Sequence, residues 1–254
     1  MIPLRAAIAL AVFPLFATAG AAETVFTETF DYGPGVPDRD EIHAGDFLRK
    51  NNIFTGDAQW ETPDSRGIVF APGKGLAVAP GAQNASIYIQ VDPEWFVSGA
   101  PVEVELEVIP GNAWLQSGGV RGVWLGFANM DSRELLASIK DLGDNLSVRD
   151  AVVPESSQTR VDVTFGTSGE SRVLHGAVMP MNPEATCRMT LTYDPADRSF
   201  TAGITDLESN ATETISDTLA HAPDFSVLRV DFTGLDSGAT EYLPVIKSIS
   251  LKKQ

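Results

Sequence analysis

The sequence predicts an all-β protein, a two-sheet antiparallel sandwich, from three observations. Apolar and polar residues alternate with period two in many short segments, which is typical of strands with one buried and one wet face. The 22 glycines and 16 prolines are spread along the chain at turn positions rather than concentrated in one linker. Helical periodicity is nearly absent, and the segment 132–142 fits a short helix or a strand equally well. A chain of 254 residues, 43% of them apolar, is long enough for one such sandwich.

The clearest strand covers residues 102–108, VEVELEV. Pro101 and the pair Pro110-Gly111 bracket it. Successive side chains in a strand point to opposite faces, so the apolar and acidic residues separate onto two faces. The apolar face holds Val102, Val104, Leu106 and Val108, and the acidic face holds Glu103, Glu105 and Glu107.

The same alternation predicts further strands over residues 86–91, 120–129, 159–165, 186–193, 199–205, 227–233 and 245–251. Asp194, Pro195 and Asp197 between two of these segments are turn formers. We therefore expect an antiparallel hairpin over residues 186–205.

Residues 1–22 are predicted to be a secretory signal peptide. Arg5 supplies the positive start, an apolar run of 11 residues follows over 6–16, and small residues occupy 17–22. This run is short for a membrane span and contains Pro14. We expect cleavage after Ala22, a bacterial source, and a secreted or periplasmic protein whose residues 23–254 form one domain without membrane insertion.

Composition excludes several classes of function. The formal net charge of −16 argues against binding to nucleic acid or to anionic lipid, since both need clustered cations. A single cysteine excludes an internal disulfide framework and a thiolate zinc site. Cys187 alternates with apolar residues and is expected to be a buried thiol, and the three histidines show no metal-ligand spacing, so no metal site is predicted.

Three segments resemble a known superfamily. Residues 27–35 (TETFDYGPG), 191–195 (LTYDP) and 245–251 (VIKSISL) are similar to the first strand, the penultimate hairpin and the closing strand of concanavalin A-like lectin/glucanase jelly rolls. Laminin-G-like secreted modules of bacteria belong to this superfamily. The resemblance implies that the first and last strands pair side by side.

Several members of that superfamily hold a structural calcium ion with ligands from the first strand region and an aspartate of the last strand. Lys247 stands where that aspartate would be expected, and a lysine cation would oppose the ion. Glu28 and Asp31 could still supply oxygens, but calcium needs 6–8 of them. We therefore predict no cofactor, with a structural calcium ion as the alternative.

The acidic face of residues 102–108 is the candidate catalytic site. Laminarinase-like hydrolases of this fold carry the motif E-x-D-x-E, and the resemblance implies Glu103 as nucleophile, Glu105 as tuning acid and Glu107 as acid/base. Retaining glycosidases need two carboxyl groups about 5–5.5 Å apart. The sequence departs from the motif at Glu105, where the family has aspartate. The alternative interpretation is an ordinary solvated strand face.

Trp124 is the candidate ligand-binding residue. It lies between Gly122 and Gly126, on the face opposite Val123 and Leu125, and an exposed indole ring there could stack on a sugar. The alternative is that a loop covers it. If the strands carrying Glu105 and Trp124 pair, the two side chains share one surface.

A cluster of aspartates, Asp141, Asp144 and Asp150, is interpreted as a solvated loop rather than a weak calcium site.

The predicted function is an exported carbohydrate-binding or cell-surface jelly-roll module with a polysaccharide or glycan partner and no complete catalytic motif. The first alternative is a glycoside hydrolase or polysaccharide lyase of the same fold that uses Glu103 and Glu107. The second is a structural or interaction module without a sugar ligand. Fold similarity alone does not distinguish these classes.

Overall fold

The computed structural model describes residues 23–30, 60, 67–71, 75–97, 99–112, 122–129, 144–152, 158–167, 170–236, 238 and 244–254. These residues form fourteen strands and one short 3-10 helix, and they confirm the predicted two-sheet antiparallel sandwich. The predicted signal peptide, the segment 132–142, Asp31 and Asp141 lie outside the described residues. Within the ranges above, no helix has the length and apolarity required to cross a membrane.

One sheet has eight strands in the order β12-β11-β10-β5-β14-β3-β2, with β1 beside β14. The last strand, β14, pairs with β5 along one side and with β3 and β1 along the other. The first and last strands are therefore neighbours, as the resemblance predicts. The strands of this sheet are β1 (Glu23–Glu28), β2 (Ile68–Ala71), β3 (Gly75–Val78), β5 (Val102–Ile109), β10 (Cys187–Asp194), β11 (Ser199–Asp206), β12 (Thr212–Thr218) and β14 (Val245–Lys253).

The other sheet has six strands in the order β4-β13-β6-β7-β8-β9. Its strands are β4 (Asn84–Gln90), β6 (Gly122–Ala128), β7 (Asn145–Val152), β8 (Gln158–Thr167), β9 (Glu170–Pro180) and β13 (Val227–Thr233). The helix η1 (Pro93–Phe96) leads from this sheet to β5, and the Asp92 side chain caps it by accepting the Glu94 N–H at 3.0 Å.

Of the fourteen strands, β2, β3, β7, β9 and β12 were not predicted from the sequence.

The predicted hairpin forms between β10 and β11, which pair in register from Cys187 opposite Asp206 to Asp194 opposite Ser199. Two aspartates hold the turn. The Asp194 carboxylate accepts the Ala196 N–H at 2.8 Å, and the Asp197 carboxylate accepts the Ser199 N–H at 2.8 Å. Arg198 takes a positive φ of 63° to close the turn.

The core lies between the two sheets and is built by every second residue. Val104 and Leu106 of β5 are fully buried, while the glutamates beside them are half-buried on the other face. Each such aliphatic side chain contributes roughly 1.5–3 kcal/mol on full burial. Rings from both sheets meet in one cluster, in which Phe96 lies 4.8 Å from Phe127 and 6.2 Å from Tyr193 between ring centroids.

Cys187 is a buried core thiol, as predicted. Burial raises its pKa well above the ordinary value, and the negative charges of Asp150 and Asp206 raise it further. The thiol is therefore protonated and unreactive in the folded protein.

The prediction for Asp150 was wrong. It lies within β7 rather than in a loop, and it faces the core side of the sheet together with Leu146 and Val148. Burial raises the pKa of Asp150 to about 6, although the hydrogen bond from Thr159 and the charge of Arg149 act in the opposite direction. Asp144, at the entrance to the same strand, accepts the Asp224 N–H at 2.8 Å.

Candidate functional site

A row of side chains crosses the outer face of the six-stranded sheet. Consecutive members lie directly opposite one another on neighbouring strands, so one residue from each of the six strands contributes. We call this set the polar row: Ser86, Asp231, Trp124, Arg149, Asp162 and His175.

The polar row faces away from the core because of the strand alternation. Val123 and Leu125 pack into the core between the sheets, so Trp124 between them must point outward. Val148 and Val163 place Arg149 and Asp162 on the outer face in the same way. Outward-facing polar residues of a sheet are usually solvated, but most of this row is buried.

Trp124 is held by two polar partners. Its indole N–H donates to the Thr233 hydroxyl at 3.0 Å, and the Arg149 guanidinium carbon lies 4.8 Å from the ring centroid. This is a cation–π contact. The side chain is only 8% exposed, so in this conformation the indole ring supports its neighbours rather than presenting a free face.

The two glycines beside Trp124 are explained by the adjacent backbone of β7. A Cβ atom on Gly126 would lie only 2.7 Å from the Ser147 Cα atom and would overlap the Leu146 carbonyl oxygen. Gly122 has a φ of +139° and would overlap the Asp150 carbonyl oxygen. Close approach of two strands, and not space for a ligand, therefore requires both glycines.

Asp162 accepts hydrogen bonds from three basic side chains. Arg160 binds it through Nε at 2.7 Å and Nη2 at 3.1 Å, the His175 Nδ1 atom lies 2.7 Å from Oδ1, and Arg149 forms an ion pair with Oδ2. Burial by itself would raise the pKa of Asp162, but the hydrogen bonds from Arg160, His175 and Arg149 outweigh it and lower the pKa to about 2. The carboxylate is therefore ionised throughout the neutral range.

On the other side of Trp124, Arg229 and Asp231 form a second ion pair. Arg229 Nε donates to Asp231 Oδ2 at 2.6 Å, and Nη2 of the same guanidinium contacts the same oxygen.

Several buried polar atoms of this face have no hydrogen-bond partner among the described residues. These atoms are Ser86 Oγ, Asp231 Oδ1, Arg229 Nη1 and Arg149 Nε.

Buried polar atoms are nearly always paired, and an unpaired one costs about 1–3 kcal/mol. Four such atoms lie on this one face of the sheet, each of them buried and without a hydrogen-bond partner among the described residues. The polar row is most accessible at its β8–β9 end, where the side chains of Arg160 and His175 are 37% and 54% exposed.

The glutamates of β5 lie on the outer face of the eight-stranded sheet. Lys252 Nζ lies 3.1 Å from Glu103, Arg188 Nη2 lies 2.7 Å from Glu107, and Arg188 Nε lies 3.5 Å from Glu105. All three carboxylates are about a quarter exposed. Each therefore faces a cation from a neighbouring strand, an arrangement that also suits an ordinary solvated face.

Glu105 and Trp124 do not share a surface. Their strands, β5 and β6, belong to different sheets, and the two side chains point outward from opposite sides of the sandwich. The condition for a shared surface, that the two strands pair, is not met, because β5 pairs with β10 and β14 instead of β6. The catalytic roles of Glu103, Glu105 and Glu107 stay a prediction.

Of the two acids named for a structural calcium ion, Glu28 belongs to the described residues and Asp31 does not. Among the residues that the structure describes, no three His, Cys, Asp or Glu side chains gather into a metal-binding group. The Glu28 carboxylate accepts the Phe30 N–H at 2.7 Å, and Lys247 is half-buried on β14.

The sequence analysis missed most of the polar row. Arg149 and Asp162 occupy outward positions of β7 and β8, where polar residues are ordinary, so their spacing carries no signal. One hint was the occurrence of arginine and aspartate at i and i+2 in Arg160 and Asp162 and again in Arg229 and Asp231. This spacing places opposite charges on one face of a strand.

Comparison with protein-family models gives no match, and comparison with curated proteins also gives none. Solved structures do match. Peanut lectin has a TM-score of 0.57 at 15% identity, covering 92% of this chain and 98% of the lectin.

Lectin I-B4 from Griffonia simplicifolia, in its metal-free form, has a TM-score of 0.54 at 12% identity, covering 90% of this chain and 99% of the lectin. The exoplasmic/lumenal domain of VIP36 in its Ca2+/Man2-bound form has a TM-score of 0.54 at 11% identity, covering 79% of this chain and 84% of the VIP36 domain. At these identities the likeness concerns the fold, and it shows that the chain has the concanavalin A-like jelly-roll fold of legume lectins and VIP36.

Proposed function

We propose that this protein is a carbohydrate-binding module whose glycan ligand binds the outer face of the six-stranded sheet at the polar row. The observation that carries the proposal is the set of buried, unpaired polar atoms along that row. Sugars present many hydroxyl groups, each of which can donate and accept hydrogen bonds, and such groups suit Ser86 Oγ and Asp231 Oδ1. The lectin-like fold supports the same conclusion by analogy.

In this proposal Trp124 has an indirect role. It places the Arg149 guanidinium and the Thr233 hydroxyl beside the ligand through a cation–π contact and a hydrogen bond. Specific polar groups held by packed neighbours are what gives a binding site its selectivity.

The experiment that tests the site compares Ser86→Ala with Ser250→Ala by isothermal titration against glycans selected on an array. Ser86 lies in the polar row, whereas Ser250 lies opposite Glu105 on the eight-stranded sheet. We expect Ser86→Ala to weaken glycan binding about threefold to tenfold, the value of one hydrogen bond, and Ser250→Ala to leave it unchanged.

Thermal unfolding of the same variants gives an independent measurement. If Ser86 Oγ is merely an unsatisfied polar atom, Ser86→Ala will stabilise the protein and leave glycan binding unchanged, which would contradict the proposed position of the ligand. If the wild-type protein binds no glycan on the array, the module has a structural or interaction role instead.

We also propose that the protein is exported, to the periplasm or the medium, with cleavage after Ala22. Glu23 pairs with Lys253, so a chain cut at this point keeps every described strand. The mass of the protein recovered from the periplasm and the medium of a bacterial host tests this. An intact residue 1–22 segment in the exported fraction would contradict it.

A further inference from the structure

The charge of the six-stranded sheet differs from that of the whole chain. The outward positions of its strands carry three arginines and two aspartates, which gives 3 − 2 = +1 without His175. The chain as a whole carries −16. The charged residues of this face are Arg149, Arg160, Arg229, Asp162 and Asp231.

The positive charge is concentrated at the β8–β9 end of the polar row. Arg149, Arg160 and His175 surround the single carboxylate of Asp162, whereas Arg229 is matched one to one by Asp231. Among the described side chains around Asp162, the two arginines therefore leave an excess of one positive charge. This is also the end where Arg160 and His175 reach solvent, with 37% and 54% exposed side chains.

Among the described residues, both exposed side chains keep a hydrogen-bonding atom that has no partner. Arg160 uses Nε and Nη2 on Asp162, which leaves Nη1 as a donor for a ligand anion. His175 points Nδ1 at Asp162, so in the neutral ring the Nε2 atom is an acceptor for a sugar hydroxyl. A donor for an anion beside an acceptor for a hydroxyl matches an acidic sugar unit.

We infer that the glycan is anionic, and that Arg160 and His175 bind a sugar unit bearing a carboxylate or a sulfate at the β8–β9 end of the polar row. This inference rests on the proposed carbohydrate-binding function and names the class of its ligand. Arg149, which is 11% exposed, adds its charge from beneath while it remains paired with Asp162.

The test uses matched pairs of charged and neutral polymers in affinity electrophoresis and titration calorimetry. Polygalacturonate is compared with its fully methyl-esterified form, and dextran sulfate with dextran. We expect the wild-type protein to bind one charged polymer and not its neutral counterpart. The first pair reports a carboxylate ligand and the second a sulfate ligand.

Variants locate the binding to the proposed residues. We expect Arg160→Gln to weaken binding of the charged polymer about tenfold or more, and Arg160→Lys to retain part of it, because lysine keeps the charge but loses the planar fork. Arg172→Gln is the matched control. Arg172 is an exposed arginine of β9 that pairs with Phe165, so it points to the opposite side of the strand from His175.

Three results would overturn the inference. Equal binding to both members of each polymer pair would leave the carbohydrate-binding proposal intact and exclude an anionic requirement. Equal losses in Arg160→Gln and Arg172→Gln would show that only net charge matters. Binding of neutral array glycans without binding to either charged polymer would likewise refute an acidic ligand while the proposed function stands.

Discussion

Asp150 and Asp162 lie on neighbouring strands of one sheet, but their carboxyl groups point to opposite faces and their pKa values move in opposite directions. Asp150 faces the core, and burial raises its pKa to about 6 despite the Thr159 hydrogen bond. Asp162 faces outward, where three basic side chains overcome the effect of burial and lower its pKa to about 2. The number of donors on each face decides the difference.

For Asp150 we predict that protein stability falls as the pH rises from about 4 to about 6. The folded-state pKa is raised above the ordinary 3.8, so the folded protein holds a proton that the unfolded chain has already released. The shift of about two pKa units corresponds to about 3 kcal/mol. Asp150→Asn removes this ionisation and should gain about 1–3 kcal/mol relative to the wild type at pH 8.

Urea unfolding of both proteins at pH 4 and pH 8 measures this effect. The difference in unfolding free energy between variant and wild type should be larger at pH 8. An equal difference at the two pH values would show that Asp150 is not protonated in the folded protein.

For Asp162 the direction is reversed. Its lowered folded-state pKa contributes stability that is present above pH 4 and is lost as the pH falls from about 4 to about 2. Asp162→Asn should cost about 3 kcal/mol at pH 7, because it leaves Arg149 nearly buried without its counter-charge. Unfolding free energies measured between pH 2 and pH 7 should lack, in the variant, the decrease that protonation of Asp162 causes in the wild type. The same decrease in both proteins would contradict the ion-pair assignment.

Gly126 provides a test of strand packing beside Trp124. Gly126→Ala should destabilise the protein by about 1–3 kcal/mol, because the new methyl group overlaps the backbone of β7, which cannot yield as a side chain can. Gly203→Ala is the control, since a Cβ atom there meets the movable Thr214 Cγ2 atom at 3.0 Å. Thermal unfolding should show a smaller loss for Gly203→Ala, and equal losses would argue against close backbone contact at Gly126.

The hydrolase alternative is tested through Glu103. We expect no turnover of β-glucans by the wild-type protein, because the carboxylates of β5 face Lys252 and Arg188 on the outer side of the eight-stranded sheet. Glu213, an acid of β12 in the same sheet, serves as the control. Reducing-end assays of the wild type, Glu103→Gln and Glu213→Gln check this expectation. Turnover that disappears in Glu103→Gln and survives in Glu213→Gln would establish the enzyme instead.

The sequence by itself determined many of the strands, among them β5, β10 and β11, and it determined which of their side chains face the core. Alternation is a property of the local backbone, so VEVELEV in β5 separates its valines from its glutamates wherever the strand lies. The hairpin of β10 and β11 was equally predictable, because Asp194 and Asp197 form its turn within the same short segment.

For the six-stranded sheet, only the tertiary structure decided which strands are neighbours. The polar row joins Ser86 to His175 through strands from distant parts of the chain, with Asp231 of β13 beside Trp124 of β6. Each of its residues looks like an ordinary outward position in its own strand. Strand order is set by long-range hydrogen bonding and by the joint burial of two sheets, and no local pattern encodes either.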